Sequence, residues 1–189
     1  MKIGLYFGSF NPIHHGHLII ASHVANETEL EQVWFVVSPQ NPFKQNNTLL
    51  NEYHRLHLVK IAIEGENHLR ATDIEFKLPK PSYTIATLQY LEEKYPEHVF
   101  SIILGSDSFQ NLDKWKNAEV IMNRYSIFVY TREGFEVRKD LPVKYTVLDA
   151  PVLQISSTHI RELVRQGKSI RYLVPDKVKE EIENNHYYR

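Results

Sequence analysis

The chain has 189 residues, of which 42% are hydrophobic and 24% charged, and these values are typical of an ordinary globular protein. Lys and Arg number 22 against 23 Asp and Glu, so the formal charge is −1, which disfavours a nucleic-acid coat or a polybasic membrane binder. The lack of cysteine excludes disulfides, thiolate zinc sites and cysteine nucleophiles. We therefore expect a single domain over residues 1–189 in the cytoplasm, bound to neither nucleic acid nor membrane, which could form a homo-oligomer.

Apolar runs typical of buried strands alternate along the chain with segments of helical periodicity. The predicted strands cover residues 2–7, 33–37, 99–104, 125–130 and 144–148. Helical spacing connects Leu49 to Ile63 and Ile85 to Leu91, and two more helices are predicted after Ser156 and from Asp176. This alternation predicts an α/β fold with a mostly parallel central sheet.

The first predicted strand leads through a short loop, GSFNPIHHGH, into a helix. A helix start offers unpaired N–H groups and the positive end of the helix dipole, so it favours a phosphate group. Gly8 permits close approach of a ligand to the backbone, and Gly16 leaves room beside His14 and His17. The loop matches neither a Walker A motif nor GxGxxG, so a different way of handling phosphate is predicted.

His14 and His17 are three residues apart, so both imidazoles can face one side of the helix start. They could donate hydrogen bonds to phosphate oxygens and stabilise charge that develops during phosphoryl transfer. A metal site is the alternative, but it needs a third ligand, and no Asp or Glu lies nearby in sequence. The glycine-containing loop favours function over a structural role for this pair.

Residues 9–17 resemble the (T/S)FxPxHxGH signature of the nucleotidyltransferase superfamily, and residues 155–161 (ISSTHIR) resemble its ISSTxIR element. Within that superfamily the chain most resembles the bacterial nicotinate-nucleotide adenylyltransferases. Further matches are the family's PxxK, PSYT, GxD, LxxW and YLxP segments, at residues 42–44, 81–84, 105–107, 112–115 and 172–175. Departures are Phe7, where many relatives have glycine, Ser9 in place of the commoner Thr, and Asn11 in place of Asp.

This resemblance implies a Rossmann-like nucleotidyltransferase fold with helices on both faces of the sheet, which opens at the carboxyl ends of strands one and four. It implies transfer of AMP from ATP to nicotinate mononucleotide, giving deamido-NAD and pyrophosphate in NAD biosynthesis. The Mg²⁺ that accompanies ATP would be held mainly by phosphate oxygens and water, without a protein metal cage. The alternative within enzymes is an adenylyltransferase that prefers nicotinamide mononucleotide or another phosphate acceptor.

The resemblance also implies three sets of site residues. The catalytic set is His14, His17, Lys44 and Arg161. The ATP-binding set is Gly8, Ser9, Phe10, His14, His17, Gly105, Asp107, Ser156, Ser157, Thr158 and Arg161. The set that binds the mononucleotide is Phe7, Gly8, Lys44, Ser82, Tyr83, Thr84, Leu112, Trp115 and Lys116.

Several of these residues also have a plain structural interpretation. Asp107 could cap a helix, Trp115 could belong to the core, and Ser82 or Thr84 could cap the helix that follows them. Two other functional classes stay open at this point, namely a noncatalytic nucleotide sensor and a His-rich metal hydrolase.

Two further segments are predicted to lack a role in the site. Residues 54–57, which contain His54, Arg55 and His57, are expected on the protein surface. Residues 186–189 are expected to form a frayed end.

Overall fold

A six-stranded, all-parallel sheet forms the centre of the fold in this computed structural model, which describes residues 1–40, 48–151 and 153–189. The strands are β1 (Lys2–Gly8), β2 (Gln32–Val37), β3 (Leu69–Thr72), β4 (Val99–Gly105), β5 (Ile127–Tyr130) and β6 (Tyr145–Leu148). They lie in the order β3-β2-β1-β4-β5-β6. The strand order reverses between β1 and β4, and open α/β sheets bind ligands at such a point.

Seven α-helices connect or flank these strands within the described residues. They are α1 (His15–Glu27), α2 (Glu52–Ala62), α3 (Thr84–Lys94), α4 (Ser106–Phe109), α5 (Ala118–Arg124), α6 (Ser157–Arg165) and α7 (Asp176–Asn184). Two short 3₁₀ turns occupy Ile74–Lys77 and Leu112–Lys114. None of the helices in the described part of the chain is long and apolar enough to cross a membrane.

Helices cover both faces of the sheet, as the α/β prediction requires. Successive residues of a strand point to opposite faces, so Leu5 and Tyr6 of β1 enter different core clusters. The Tyr6 cluster packs against α1, α2, α6 and α7, and the Leu5 cluster packs against α3 and α5. The central strands are therefore buried on both sides, which explains their nearly continuous apolar sequences.

The predicted strands are confirmed, but strand β3 and helix α5 are among the elements that were not predicted. The edge strand β3 has the sequence LRAT, which is too short and too polar to form an apolar run. Helix α5 ends just before the apolar segment at 125–130, and Tyr125 is its C-cap, so β5 begins only at Ile127.

The prediction of a frayed end at residues 186–189 is wrong for its tyrosines. Tyr187 and Tyr188 pack against the core cluster that contains Tyr6. Burial raises the pKa of Tyr188, whose charge environment includes both Arg55 and Arg161. The end of the chain thus packs beneath the region where the two signatures meet.

Candidate active site

A polar groove lies at the carboxyl ends of β1, β4 and β5. It brings together residues from both signatures and most of the predicted ATP-binding set. Those lining it are Gly8, Ser9, Phe10, His14, His17, Asp107, Ser156, Ser157, Thr158 and Arg161. Parallel strands end at one edge of a sheet, which explains how residues almost 150 positions apart in sequence meet there.

His14 and His17 form a stacked pair at the start of α1. Their ring centroids are 3.7 Å apart and their planes differ by 25°. The main-chain N–H of His14 donates to Nδ1 of His17 at 3.2 Å, so the proton of a neutral His17 ring lies on Nε2. His14 is the N-cap of α1, and its ring belongs to a capping box formed with His17.

The environment of His14 favours its neutral form. Burial is the main cause, with help from the charges of Arg132 and His15, and together they lower the pKa of His14 to about 3. At neutral pH the ring therefore carries no charge in the ligand-free protein and can act as a neutral hydrogen-bond donor.

Two glycines in the first loop are required by close contacts. A Cβ on Gly16 would lie 2.8 Å from Cε1 of His14, which confirms the expectation that Gly16 leaves room beside the imidazoles. A Cβ on Gly8 would lie 2.8 Å from the ring of Phe10, and Phe10 itself has a left-handed backbone with φ of 48°. The tight path of this loop therefore depends on small residues at both positions.

The second signature is tied to the first by hydrogen bonds. Arg161 is 8% exposed, and its Nη1 donates to the carbonyl of Asn11 at 2.8 Å. Ser157 Oγ donates to the carbonyl of Pro12 at 2.9 Å. Arg161 Nη2 also contacts Thr158 Oγ1 at 3.3 Å, while its buried Nε has no partner in the part of the chain that the structure describes.

Ser156 caps α6, because its Oγ accepts from the N–H of His159 at 3.1 Å. The hydroxyls of Ser156 and Ser157 thus already have protein partners. Burial lowers the pKa of Arg161, although a guanidinium remains charged at any ordinary pH.

Asp107 lies in the first turn of α4, so the interpretation of this residue as a helix cap is wrong. The cap position belongs to Gly105, and no side chain caps the helix. A Cβ on Gly105 would lie 2.5 Å from Asp107 Oδ1, so this glycine makes room for the carboxylate. Asp107 also lines the polar groove, where a carboxylate can accept from ribose hydroxyls.

Arg132 is a groove residue that was not predicted from the sequence. It follows the end of β5, and its main-chain N–H donates to Ser106 Oγ at 2.8 Å, which holds it beside β4. Its side chain lines the same groove as His14 and Asp107. The sequence did contain a signal for this residue, because a cation just after a central strand lies at the carboxyl edge of the sheet, where ligands bind.

A second pocket adjoins the polar groove. Phe7, Gly8 and Ser108 line both, so the two cavities are neighbours with a common boundary. The second pocket also contains most of the predicted mononucleotide set, namely Ser82, Tyr83, Thr84, Trp115 and Lys116.

Trp115 is only partly buried in this pocket, so it is not simply a core residue. Beside it, Lys116 Nζ lies 4.6 Å from the centroid of the Tyr83 ring. Leu112, in contrast, is fully buried in the core and is not among the residues that line the pocket.

Helix α3 begins in this second pocket, and its start carries no side-chain cap. The cap position is Tyr83, whose side chain makes no capping hydrogen bond, so the interpretation of Ser82 or Thr84 as caps is wrong. Ser82 instead donates to the buried carboxyl of Glu75 at 2.9 Å. The first N–H groups of α3 therefore have no capping side chain and can bind an anion.

Arg55 is fully buried, so its predicted position on the surface is wrong. Its guanidinium donates to four main-chain carbonyls, those of Ser9, Ser38, Pro39 and Leu50, at 2.6 to 3.1 Å. It thereby joins the loop after β1 to the loop after β2. Lys44, which was predicted to contact phosphate, lies outside the described residues.

The class of protein follows from this fold and site together with a family comparison. A family model described as "Cytidylyltransferase-like" matches residues 5–163, which include both signatures. The fold is also that of the Plasmodium falciparum nicotinic acid mononucleotide adenylyltransferase complexed with NaAD. Its TM-score is 0.85 at 21% identity, over 99% of this chain and 97% of that one.

Two sequence relatives define the family more narrowly. The Flavobacterium johnsoniae protein is 50% identical over the whole of both chains. The Cytophaga hutchinsonii protein is 52% identical over 100% of this chain and 98% of its own. Both carry the name "Probable nicotinate-nucleotide adenylyltransferase". The chain belongs to the nicotinate-nucleotide adenylyltransferase family of nucleotidyltransferases.

Proposed function

We propose that the protein transfers the AMP part of ATP to nicotinate mononucleotide, giving deamido-NAD and pyrophosphate. The observation that carries this proposal is that two cavities of different chemistry lie side by side. One is a polar groove with two imidazoles and two guanidiniums, and the other is a pocket with an aromatic wall and an uncapped helix start. Their shared wall, at Phe7, Gly8 and Ser108, is where the two substrates would meet.

The reaction needs positioning and charge stabilisation rather than an enzyme nucleophile. An oxygen of the mononucleotide phosphate attacks the α-phosphorus of ATP, a new P–O bond forms, and the bond to the bridging oxygen of pyrophosphate breaks. Charge develops on the oxygens around the α-phosphorus, and fixed hydrogen-bond donors stabilise it.

His14 and His17 are suited to donate to these oxygens. Their stacking fixes both rings, and the contact at Nδ1 of His17 directs its proton to Nε2. His14 also lines the polar groove, and its neutral ring can donate one hydrogen bond to a phosphate oxygen there. Arg161 and Arg132 would add positive charge along the path of the β- and γ-phosphates, and Lys44 would supply a further cation for phosphate.

Magnesium would enter with ATP. Asp107 is the carboxylate that lines the polar groove, and the described residues contain no group of three or more His, Cys, Asp or Glu side chains able to hold a metal. This donor set fits an ion bound mainly to phosphate oxygens and water, where it neutralises charge on the leaving pyrophosphate. The metal-hydrolase alternative would need a third protein ligand and gains no support from this donor set.

The second pocket is suited to a pyridine ring that carries a carboxylate. Trp115 offers a flat apolar surface for the ring, and the start of α3 offers N–H groups and a positive dipole end for the anion. A neutral carboxamide would gain less from that dipole. We therefore expect nicotinate mononucleotide to be preferred over nicotinamide mononucleotide.

Pyrophosphate release with Mg-ATP and each mononucleotide tests the proposal. A large preference for the acid is expected. Comparable use of both would contradict the assigned carboxylate pocket and favour the alternative enzyme, whereas no release with either would contradict the proposed reaction.

His17→Ala tests the chemistry within that assay. Turnover should fall by about 10² or more with the fold preserved, because a donor to the transition state is lost. His57→Ala is the matched control, since His57 lies exposed on α2 and should leave turnover unchanged. Near-normal turnover of His17→Ala would refute the role given to His17.

A further inference from the structure

Glu75 is a buried carboxyl that lines the second pocket, and the reaction proposed above does not use it. It belongs to the 3₁₀ turn after β3 and is 2% exposed. Burial of a carboxyl is unfavourable unless hydrogen bonds compensate for the lost water. Three hydroxyl groups compensate for it here.

The three donors come from two separate parts of the chain, the end of β2 and the start of α3. Oε2 of Glu75 accepts from Ser38 Oγ, just after β2, and from Ser82 Oγ, just before α3, both at 2.9 Å. Oε1 accepts from Thr87 Oγ1, within α3, at 2.8 Å. An ionised carboxylate is an acceptor only, so three hydroxyls that all donate match its charged form. Burial nevertheless raises the pKa of Glu75, which reflects the cost of keeping that charge.

These contacts anchor the start of α3. Ser82 and Thr87 lie on either side of the first turn of the helix, and both donate to the same carboxyl. The cap position between them is Tyr83, whose side chain makes no capping hydrogen bond. Glu75 therefore holds in place the segment that carries the uncapped N–H groups.

We propose that Glu75 is a specificity-determining positioning residue, which holds Ser82 and Thr87 so that the uncapped start of α3 receives the carboxylate of the pyridine substrate. This inference rests on the proposed function. It extends that function by assigning the selectivity for acid over amide to a group that does not itself contact the bound carboxylate.

Glu75→Ala removes all three contacts and should act on one substrate selectively. We expect KM for nicotinate mononucleotide to rise at least tenfold, while KM for ATP stays within about twofold, because the described hydrogen-bond partners of Glu75 do not line the polar groove. The ratio of kcat/KM for the acid to that for the amide should fall at least fivefold. Glu75→Gln keeps the shape and can still bond hydroxyls, so it should restore most of the affinity.

Ser82→Ala keeps the test decisive if Glu75→Ala fails to fold. It breaks only one contact and should raise KM for nicotinate mononucleotide about threefold or more. Ser101→Ala is the matched control, because Ser101 is a buried serine of β4 outside both cavities and should change neither KM.

Direct calorimetric binding of nicotinate mononucleotide separates failure of this inference from failure of the proposed function. If folded Glu75→Ala and Ser82→Ala both bind nicotinate mononucleotide as tightly as the wild type does, the role of Glu75 is overturned. The enzyme assignment would stand in that case. Equal weakening of ATP and mononucleotide binding would also overturn it, since that result indicates a general structural role. A wild-type protein that binds no mononucleotide would overturn both.

Discussion

Arg55→Lys tests whether the buried guanidinium holds the two loops of the site together. Nε of Arg55 donates to Leu50, Nη1 to Ser9 and Ser38, and Nη2 to Pro39, so three nitrogens serve four carbonyls. Lysine keeps the charge but has one nitrogen, so we expect about two of these carbonyls to lose their partner. A buried acceptor left without a partner costs about 1–3 kcal/mol, so the free energy of unfolding should fall by roughly 2–6 kcal/mol.

Urea unfolding followed by circular dichroism measures this loss. Arg124→Lys is the control, because Arg124 is exposed and pairs with Glu92 at 3.1 Å, and such surface pairs contribute about 0–1 kcal/mol. We also expect lower turnover in Arg55→Lys, since Ser9 belongs to the first signature loop. A loss of stability no larger than that of the control would refute the argument.

Three further predictions concern the polar groove. Gly16→Ala places a Cβ 2.8 Å from His14 Cε1 and should displace that ring, so turnover should fall roughly 10- to 100-fold with unchanged circular dichroism; wild-type turnover would contradict this. Burial lowers the pKa of His14 from the ordinary value of 6.5 to about 3. As the pH falls below 6.5 the unfolded chain is therefore protonated at this residue before the folded protein is, and the free energy of unfolding decreases. Between pH 7 and 5 wild type should lose about 2 kcal/mol more than His14→Asn in urea unfolding, and an equal loss in the two proteins would show that His14 is not protected from protonation. Arg161→Lys should lower turnover, because lysine keeps the charge but lacks the planar guanidinium that donates to the carbonyl of Asn11. Full activity of this variant would show that charge alone matters at this position.

Local sequence patterns predicted much of the fold. The apolar runs at β1, β2 and β4 are long enough to identify buried strands, and they end where the structure ends them to within one residue. The glycine at position 16 predicted room for two imidazoles, and the structure confirms it. These signals are local, because strand propensity and glycine geometry depend on a few neighbouring residues.

Other features depended on contacts between distant parts of the chain. Arg55 lies on a helix beside exposed histidines, and its burial is favourable because carbonyls distant in sequence accept from it, among them those of Ser9 and Ser38, 46 and 17 residues away. Nothing in the local sequence distinguishes Glu75 from an acidic residue on the surface. Its burial depends on hydrogen bonds from Ser38, 37 residues away, and from Ser82.

Short motifs and their order along the chain were enough to predict the class of fold and the pair of signatures that define the family. Which charged side chains are buried, and what the start of α3 offers to a ligand, became visible only in the folded protein. A buried charge is stable only when its hydrogen-bond partners surround it, and those partners come from segments that the folded sheet brings together.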